Sequence, residues 1–583
     1  APQGGMAYRG GMIDDMVMME SEAGAPAMAR AGGDVANKSF TQTNIQVQGV
    51  DEGDTVKTDG EYLYIKGEKS IEIVKVGSDM QAASTISMQD KNIRDLYIAE
   101  DKLIVISDLY HRGDLYPVPM DEPVSTRMIW PGFRDQTTEI SIYDVSDHNS
   151  PKLVGKQIID GHLISSRRVD KNLYVVTNKS VYHWQNNTNQ PAPVPTVRIG
   201  TQEPEALVGC GDVRIFPGPS YQNYTTVAAI DIDNIDKKPK AAVVLAPHGS
   251  TVYANKQHLY LAAQTYGNGY YTDWDWRQDH TKTRIFRFQL NQGNIKLDDT
   301  GTVKGTLVNQ FSLDESQGHL RVATTTQGQT MANHVWILDS DMEQVGSIED
   351  IAPGEKIYST RFMGNRLYMV TFKTTDPLFV IDLKSPKNPK ILGKLKIPGY
   401  SDYLHPYKEG YLIGFGKEAE VSKDGNTAWY QGMKVAMFDV RNVNDPKQLH
   451  EVIIGDRGTQ SELLQNHKAL MWDPENNLMA FPITVNKLTD KQKQSSENQW
   501  AWGQAEFQGA HVYKIDENTG FDLVGAPTHY DEETLLKMGD YFPQDYRQTI
   551  QRIFRIGDEI YTISPGKVEQ HDMNLDELNT VEL

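Results

Sequence analysis

Cysteine is almost absent from this chain. Among its 583 residues there is a single cysteine, Cys210, in the segment VGCGDV. One thiol cannot form an internal disulfide, so the fold cannot depend on a disulfide framework. Long apolar runs are missing as well, since no stretch approaches the roughly 20 residues that a membrane-spanning helix needs. The sequence therefore predicts no membrane span in this chain.

Positive charge is in deficit. Lys and Arg together number 58 against 78 Asp and Glu, which gives a formal net charge of −20 at pH 7. Binding to nucleic acid requires clustered Lys and Arg that neutralise phosphates. The charge balance therefore argues against a nucleic-acid partner, and an acidic surface favours solubility.

The short motifs that mark familiar enzymes are also missing. The sequence has no GxSxG nucleophile elbow, no HExxH zinc helix, no GxxxxGK[ST] phosphate loop and no CxxC pair. Their absence favours a protein that is not an enzyme. A site built from loops could still carry chemistry, such as cleavage of a polysaccharide by hydrolysis or elimination.

What is present begins with an unusual N-terminal segment. Residues 1–40 are rich in Gly, Ala and Met and lack the alternation of a strand. We expect an irregular tail that acts as an assembly arm, with Met12, Met16, Met18 and Met19 as contact residues. Clustered thioethers could instead bind Cu(I), although no His or Cys joins them. The opening APQGG without an initiator Met fits a processed exported protein or a shortened sequence.

Beyond residue 40 a short strand signal repeats. A polar turn followed by an apolar or aromatic pair recurs along the chain, as in the repeat folds. Its nine copies are at 59–67, 100–108, 170–178, 255–263, 318–326, 364–372, 408–416, 475–483 and 557–565. A second signature, a strand ending in Asp followed by a turn, Pro-Lys and another strand, occurs at 141–155, 228–244, 379–393 and 436–450.

The two signatures define a unit of four strands. Period-two alternation forms each strand, Asp or Asn ends it, and Pro prevents further pairing before the next strand. Four antiparallel strands recurring every 40 to 60 residues or so are typical of a β-propeller. We predict an all-β fold, a single large β-propeller of eight or nine four-stranded blades at 41–583, preceded by the irregular tail at 1–40. Only 531–542 reads as a helix, which disfavours an α/β fold.

The repeat region also resembles a known family. The matching stretches are TNIQVQGVDEGDTVKTDGEYLY at 43–64, FSLDESQGHLRVATTT at 311–326, the run from VGSIED to FVIDL at 345–383, LKIPGYSDYLHPY at 395–407 and QNHKALMWDPENNL at 465–478. They resemble the secreted proteins of bacteria and archaea that contain a C-terminal β-propeller domain. The resemblance implies a propeller and export, and it implies no catalytic activity. We therefore expect a location outside the cell or at its surface, with the periplasm as the alternative.

The first candidate site is the acidic segment GVDEGD at 49–54. Asp51, Glu52 and Asp54 have no counterpart in the other units. Their carboxylates could hold a cation, and calcium is the cofactor that such oxygen ligands suit. They could instead clasp the tail or the junction between blades. Apart from this calcium hypothesis, the sequence indicates no cofactor.

The second candidate site is formed by the residues that begin the inner strands. In a propeller these side chains would line the central channel, which we predict to be polar and water-filled. The preferred interpretation is that they satisfy backbone groups at the strand edges around the axis, and ligand binding is the alternative. The predicted channel residues are Ser166, Arg167, Ser250, Ser359, Arg361, Ser401, Asp402, Glu462 and Arg552.

The third candidate site consists of aromatic residues in long insertions that interrupt the repeat. Loops of this length are usually functional or disordered. Aromatic side chains bury a large area at low entropic cost, so we predict contact with a protein partner or a glycan, the alternative being that they cap the blades. These residues are Trp130, Tyr270, Tyr271, Trp274, Trp276, Trp500 and Trp502.

Together these patterns predict an exported or cell-surface propeller that acts as an interaction or assembly module. We expect self-association, with polymerisation through the tail, or binding to another protein. Extracellular polysaccharide is a further candidate partner. The alternative functions are a polysaccharide hydrolase or lyase with a loop-built site, and a surface protein that binds calcium or copper.

Overall fold

Nine four-stranded antiparallel blades hold nearly all of the regular structure. The computed structural model describes residues 39–110, 136–181, 194–215, 223–246, 249–265, 281–328, 330–373, 376–421, 428–494, 500–536 and 545–583. Within each blade the strands pair in chain order from the innermost to the outermost. Each blade is therefore a meander made from one continuous stretch of chain.

The first three blades include the longest insertion. Blade 1 contains β1 Val56–Thr58, β2 Tyr62–Lys66, β3 Ser70–Lys75 and β4 Gln81–Ser87. Blade 2 contains β5 Asn92–Ala99, β6 Lys102–Tyr110, β7 Gln136–Asp144 and β8 Lys152–Asp160. Blade 3 begins with β9 His162–Val169 and β10 Asn172–Ser180, continues through the insertion strands β11 Thr196–Ile199, β12 Glu205–Ala206 and β13 Arg214–Ile215, and ends with β14 Asn223–Asp231 and β15 Lys240–Ala246. β11 pairs with the outer edge of blade 2, and β13 pairs with that of blade 3.

Blades 4 to 6 are more regular. Blade 4 contains β16 Gly249–Ala254, β17 His258–Thr265, β18 Lys282–Asn291 and β19 Asn294–Lys304. Blade 5 contains β20 Leu313–Ser316, β21 His319–Thr326, β22 Ala332–Leu338 and β23 Gln344–Ile351. Blade 6 contains β24 Lys356–Met363, β25 Arg366–Phe372, β26 Asp376–Asp382 and β27 Lys390–Ile397.

The last three blades complete the ring. Blade 7 contains β28 Tyr400–Pro406, β29 Tyr411–Val421, β30 Ala428–Asp439 and β31 Lys447–Ile454. Blade 8 contains β32 Met471–Asp473, β33 Leu478–Lys487, β34 Gln504–Asp516 and β35 Gly520–Gly525. Blade 9 contains β36 Arg552–Ile556, β37 Glu559–Ile563, β38 Lys567–His571 and β39 Glu577–Glu582. The described helices are α1 Asp490–Lys493, α2 Glu532–Leu536 and short 3₁₀ turns at Cys210–Asp212, Gln310–Ser312, Glu462–Leu464, His467–Ala469 and Tyr546–Gln548.

Burial within a blade explains its sequence pattern. The second and third strands lie between neighbouring blades on both faces, so their residues are buried almost without interruption, as in β10 and β22. The fourth strand faces solvent along one side, so its burial alternates, as in β31. Strand-ending aspartates accept hydrogen bonds from the following turn, for example Asp144 from the amide of Ser146 at 2.9 Å. The second sequence signature therefore corresponds to the hairpin between the third and fourth strands of a blade.

Ring closure joins blade 9 to blade 1 through the first described residues. The Thr41 amide donates to the carbonyl of Arg555 at 2.9 Å, and the Gly557 amide donates to the carbonyl of Ser39 at 2.8 Å. Phe40 is buried in one apolar cluster with Val56, Leu63 and Ile65 of blade 1 and Phe554, Ile556 and Tyr561 of blade 9. Residues 39–41 therefore pair with the inner strand of the last blade just before the first blade begins.

The alternating direction of the strands gives the disc two different faces. Turns between first and second strands, and between third and fourth strands, are short and lie on one face, which we call the plain face. Connections between second and third strands, and those between blades, lie on the opposite face. The long insertions at 111–135, 181–222, 266–281 and 488–503 all join a second strand to a third strand, so all leave from this opposite face. We call it the insertion face.

The predicted β-propeller with nine blades is confirmed, and the alternative count of eight is wrong. The predicted helix at 531–542 is present as α2 in its described part. Within the described residues, no helix has the length and apolar character required for crossing a membrane. The division into tail and propeller stays a prediction because residues 1–38 lie outside the described residues, as do Met12, Met16, Met18 and Met19.

Candidate functional site

Residues 43–54, which we call the crossing segment, run across the middle of the ring. The Asn44 side chain donates to the Tyr403 hydroxyl at 3.0 Å, and the Gln46 side chain donates to the Gln310 carbonyl at 3.0 Å. Farther along, the segment forms isolated backbone bridges with the inner strands of blades 3 and 2, at Arg168 and Leu96. One short segment thus contacts inner elements on several sides of the ring, which is possible only inside the central channel.

The crossing segment reaches the plain face near Gly49. Gly49 packs against the side chain of Lys256, which belongs to the turn between the first two strands of blade 4. Phe40, which enters just before the segment, pairs with Ile556 at the plain-face end of β36. The crossing segment thus occupies part of the central channel, and the polar, water-filled character of that channel stays a prediction.

The three carboxylates of the acidic segment bind cations from the channel wall. Asp54 accepts two hydrogen bonds from Arg552 Nε at 3.0 Å and one from Nη2 at 2.7 Å. Asp51 accepts from Lys57 Nζ at 2.8 Å and from Arg168 Nη2 at 3.0 Å. These ion pairs connect the crossing segment to blades 1, 3 and 9.

Glu52 is the most enclosed of the three acidic groups. Its carboxylate accepts hydrogen bonds from Gln310 Nε2 at 3.2 and 3.3 Å, with Arg167 Nη2 3.8 Å and His467 Nε2 3.4 Å away. Burial works to raise the pKa of Glu52, but Arg167 and His467 outweigh it and hold that pKa well below its usual range. The pKa of Asp54 is lowered in the same way, because Arg552 outweighs burial. Both groups are therefore held as anions.

This geometry bears on the calcium hypothesis. Each of the three carboxylates has protein cations or amide donors as its partners. Within the described parts of the chain, no three or more His, Cys, Asp or Glu side chains come together as a metal site would require. The arrangement has the form of a clasp between the crossing segment and the inner strands, and a calcium site there stays a prediction.

The predicted channel residues occupy the inner strands, with one exception. Hydroxyls here bond between blades: Ser359 Oγ donates to the Ser401 carbonyl at 2.6 Å, and Ser166 Oγ donates to Asp95 at 2.9 Å. Arg167 and Arg552 are buried with the ion pairs described above. Glu462 is exposed in the 3₁₀ turn before β32 and contacts Arg552 at 3.0 Å. The side chain of Ser250 lies outside the described residues.

The inner strands are irregular at equivalent positions. In blades 2, 3, 4, 6 and 7 the pairing with the second strand skips one residue, at Arg94, Ile164, Ser250, Tyr358 and Asp402. In blades 5 and 8 the inner strand is interrupted, and the 3₁₀ turns Gln310–Ser312 and Glu462–Leu464 take its place. A bulge re-aims a side chain that would otherwise follow the regular alternation. These irregularities therefore shape the channel on the insertion-face side.

A pocket opens between the two interrupted strands and the bulge of blade 7. Its volume is about 370 Å³, including open space at its mouth. Asn309, Gln310, Phe311, Asp402, Tyr403, Leu463, Leu464, Gln465 and His467 line it. Burial raises the pKa of Asp402 to about 7, against the opposing effect of Lys417 and Lys356. The pocket thus combines apolar and aromatic walls with one partly buried carboxyl group.

Aromatic side chains form a strip on the insertion face of blades 6 to 8. Tyr400 contacts Tyr358 and Tyr430, with ring centroids 4.4 and 5.1 Å apart, and the hydroxyls of Tyr358 and Tyr430 are 3.0 Å apart. On the other side of β30, Trp429 faces blade 8. The aromatic strip, as we use the name, consists of Tyr358, Tyr400, Trp429, Tyr430, Arg457, Trp500 and Trp502.

The blade 8 end of the aromatic strip centres on Arg457. Its guanidinium carbon lies 5.3 Å from the ring centroid of Trp429 and 5.1 Å from that of Trp502. Trp500 and Trp502 are 50% and 60% exposed, so most of this large apolar area remains open to a partner. Of the predicted aromatic contacts, Trp130, Tyr270, Tyr271, Trp274 and Trp276 lie outside the described residues.

Three residues of the aromatic strip were not predicted as contacts. Trp429 and Tyr430 lie at the start of β30 and not in an insertion, and Arg457 follows β31. A search for aromatic residues that also covered the first residues of each third strand would have found two of them. Arg457 could not be found in this way because its position between two rings depends on packing across blades.

A closed ring of nine four-stranded blades around a crossed channel defines a β-propeller protein. The chain belongs to the beta propeller domain family, whose model matches residues 40–575. It is similar to an uncharacterized protein of Methanocaldococcus jannaschii, with 29% identity over 490 residues that cover 76% of this chain and 74% of that protein. It is also similar to an uncharacterized protein of Archaeoglobus fulgidus, with 27% identity over 543 residues that cover 81% and 80% of the two chains.

Proposed function

We propose that this chain is a non-catalytic interaction module that works outside the cell, at the cell surface, and contacts protein partners, including other copies of itself, through the insertion face. The observation that carries the proposal is the two-sided construction of the disc. All the long insertions leave from one face, while the opposite face carries short turns. Loops held on a rigid scaffold are where propellers and other folds place their binding residues.

The composition of the aromatic strip favours a protein as the partner. Residues that dominate the energy of protein interfaces are enriched in Trp, Tyr and Arg. The aromatic strip combines the exposed rings of Trp500, Trp502 and Tyr430 with Arg457, whose guanidinium is stacked and therefore already ordered. An anchor that is ordered before binding loses less entropy when a partner arrives. A glycan could stack on the same rings, so the experiment includes it as an outcome.

Self-association is consistent with the two different faces of the disc. The chain enters the ring at Ser39 and Phe40 on the plain face, so residues 1–38 join the disc there. The aromatic strip lies on the opposite face. A contact between the arm of one copy and the insertion face of the next would be heterologous, and repetition of such a contact yields rings or filaments. Polymerisation of this kind is the form of assembly that we propose.

The test compares four forms of the full chain: unaltered, lacking residues 1–38, with Trp500→Ala and Trp502→Ala together, and with Leu153→Ala. Leu153 is 51% exposed near the plain-face end of β8, so it provides a control of similar exposure. Sedimentation velocity measures assembly, and binding to isolated cell envelopes measures contact with other partners. We expect the double tryptophan variant to lose at least ten-fold in affinity, and the Leu153 variant to behave like the unaltered chain.

Four further outcomes decide the details. Envelope binding that survives protease treatment of the envelopes would assign the aromatic strip to a polysaccharide and overturn the protein partner. Unchanged assembly after removal of residues 1–38 would overturn the arm. Equal binding by the double tryptophan and unaltered chains would overturn the insertion face as the contact surface. Cell fractionation that places the protein in the cytoplasm would contradict export.

A further inference from the structure

We propose that the channel pocket binds an organic cation, a primary ammonium group on an apolar stem of four or five carbons, with the Asp402 carboxylate as its counterion. This site is separate from the aromatic strip on the insertion face. The inference depends on three observations: the placement of Asp402, the nature of the pocket walls, and the engagement of the neighbouring charges elsewhere.

Asp402 is placed in the channel by an irregularity of its strand. β28 pairs with β29 at Ser401 and again at Tyr403, and the pairing skips Asp402. Among the described residues, the Asp402 carboxylate has no hydrogen-bond donor and no ion-pair partner within 4.0 Å. A partly buried carboxylate without a partner is unusual, because the loss of hydration is not offset by any protein group.

The walls of the pocket suit an apolar stem. Phe311 and Tyr403 face each other with ring centroids 5.4 Å apart, and both line the pocket. Leu463 and Leu464 complete the wall contributed by the 3₁₀ turn before blade 8. Aromatic rings favour an adjacent ammonium because their faces carry partial negative charge. The space of about 370 Å³ includes the open mouth, so the enclosed part suits a short stem and not a larger ligand.

Glu52 and the Tyr403 hydroxyl, the nearest other acceptors at the pocket, are already engaged. Glu52 is held by Gln310, with Arg167 and His467 nearby, so it offers no vacant anionic position. The Tyr403 hydroxyl accepts from Asn44 and contacts His405 Nδ1 at 3.0 Å. Asp402 is thus the anionic group of the pocket that remains for a ligand.

Two of the nearby cations contact other groups, whereas Arg361 Nε and Nη1 are buried without hydrogen-bond partners among the described residues. Lys417 Nζ donates to the Thr459 carbonyl, and Lys356 Nζ lies 4.7 Å from the ring centroid of Tyr358. The Arg361 guanidinium carbon lies 5.2 Å from the ring centroid of Phe311. These cations repel an ammonium group, but they do so from a greater distance than its direct contact with Asp402. Because Coulomb energy falls with separation, the contact with Asp402 favours binding. A carboxylate ligand at Arg361 is the competing possibility, and the experiment separates the two.

The binding test uses three probes that share one stem: pentylammonium, pentanol and pentanoate. Isothermal titration calorimetry on the full chain at pH 8.5 measures the affinity of each. We expect pentylammonium to bind at least ten-fold more tightly than the other two. Asp402→Asn should remove that preference, whereas Asp445→Asn should retain it because Asp445 is exposed in a plain-face turn of blade 7.

The pH dependence gives an independent measurement. Asp402, with its pKa raised to about 7, is protonated below that pH and then offers no charge to the ligand. The groups around it are Lys417 of β29, Lys356 and Arg361 of β24, and His467 of the turn before β32. We expect at least five-fold weaker pentylammonium binding at pH 5.5 than at pH 8.5, and no such change in Asp402→Asn.

Several results would overturn the proposal. Tighter binding of pentanoate would assign the pocket to anions, and equal binding of pentanol would show that charge is not recognised. Absence of binding by all three probes at millimolar concentration would remove the site. Unchanged pentylammonium affinity in Asp402→Asn would move the ligand elsewhere, since thermal unfolding of the variant separately reports whether it is folded.

Discussion

At the scale of single residues, the ion pair of Asp54 and Arg552 joins the beginning of the propeller to its last blade. The two side chains are 1% and 2% exposed, and the pair is nearly 500 positions apart in the sequence. Removing one partner from a buried pair leaves the other charge uncompensated, which typically destabilises a protein by about 3–5 kcal/mol. Replacement of either residue should therefore weaken ring closure, because the remaining charge stays buried.

We predict that Asp54→Ala lowers the free energy of unfolding by about 3–5 kcal/mol. Chemical denaturation with urea measures this change. Asp445→Ala is the matched control, because Asp445 and Lys447 form an exposed pair and such pairs contribute about 0–1 kcal/mol. Similar unfolding midpoints for the two variants would mean that the crossing segment is not clasped as described.

A second prediction at this scale concerns Asp402. Its pKa is raised to about 7 in the folded protein, so the folded state binds a proton there that the unfolded state releases near its ordinary pKa. The stability of the protein therefore falls as pH rises from about 4 to 7. We expect Asp402→Asn to be more stable than the unaltered chain at pH 8 by about 4 kcal/mol, and close to it at pH 4. Thermal unfolding at both pH values measures the difference, and equal shifts at both would contradict this assignment.

At the scale of elements, the short pairing of residues 39–41 with β36 closes the ring. Phe40 is 7% exposed and packs with residues of blades 1 and 9, so it bridges the only junction not joined by a blade-to-blade connection of the chain. Its ring also lies where a Cβ at Gly60 would come within 2.6 Å. The closure therefore rests on a small, well-packed contact next to a tight turn.

We predict that Phe40→Ala destabilises the protein by about 3–5 kcal/mol, as is usual when a buried Phe is replaced by Ala. Hydrogen exchange should show the loss of protection first in blades 1 and 9, because they meet at this contact. Leu578→Ala, at a 55% exposed position of β39, is the control and should change stability by less than about 0.5 kcal/mol. Uniform loss of protection over all nine blades would argue against a local role in closure.

The outer three strands of each blade are easier to predict from the sequence than the inner strand. The LY pairs and the Asp-to-Pro spacing predict the second, third and fourth strands because those elements depend on local alternation and turn chemistry. The inner strands of blades 5 and 8 could not be placed well: their strands begin at Leu313 and Met471, after 3₁₀ turns that pack into the channel. The crossing segment escaped prediction for the same reason, since Asn44 and Gln46 acquire partners only through long-range packing.

The acidic segment at 49–54 shows the same limit of prediction from sequence. Its uniqueness among the repeats singled out Asp51, Glu52 and Asp54, and the spacing alone was compatible with a cation or a clasp. The distinction depends on Arg168, Arg167 and Arg552, which are distant in sequence and approach only when the ring closes. Sequence spacing contains no information about such partners.

At the scale of the whole molecule, the disc presents two unlike surfaces. The plain face consists of short turns, and the crossing segment reaches it near Gly49. The insertion face has the long connections, the aromatic strip and the mouth of the pocket. The chain enters the ring at Ser39 and Phe40 on the plain face, opposite the aromatic strip, so we predict assemblies with a fixed direction.

The most direct test of this account is cross-linking with mass spectrometry on the assembled native material. The informative lysines on the insertion face are Lys487, Lys491 and Lys493, and those on the plain face are Lys171, Lys256 and Lys387, all exposed. The account predicts that links between molecules involve an insertion-face lysine on at least one side. Links that join only plain-face lysines, with Lys487, Lys491 and Lys493 unlinked, would contradict it.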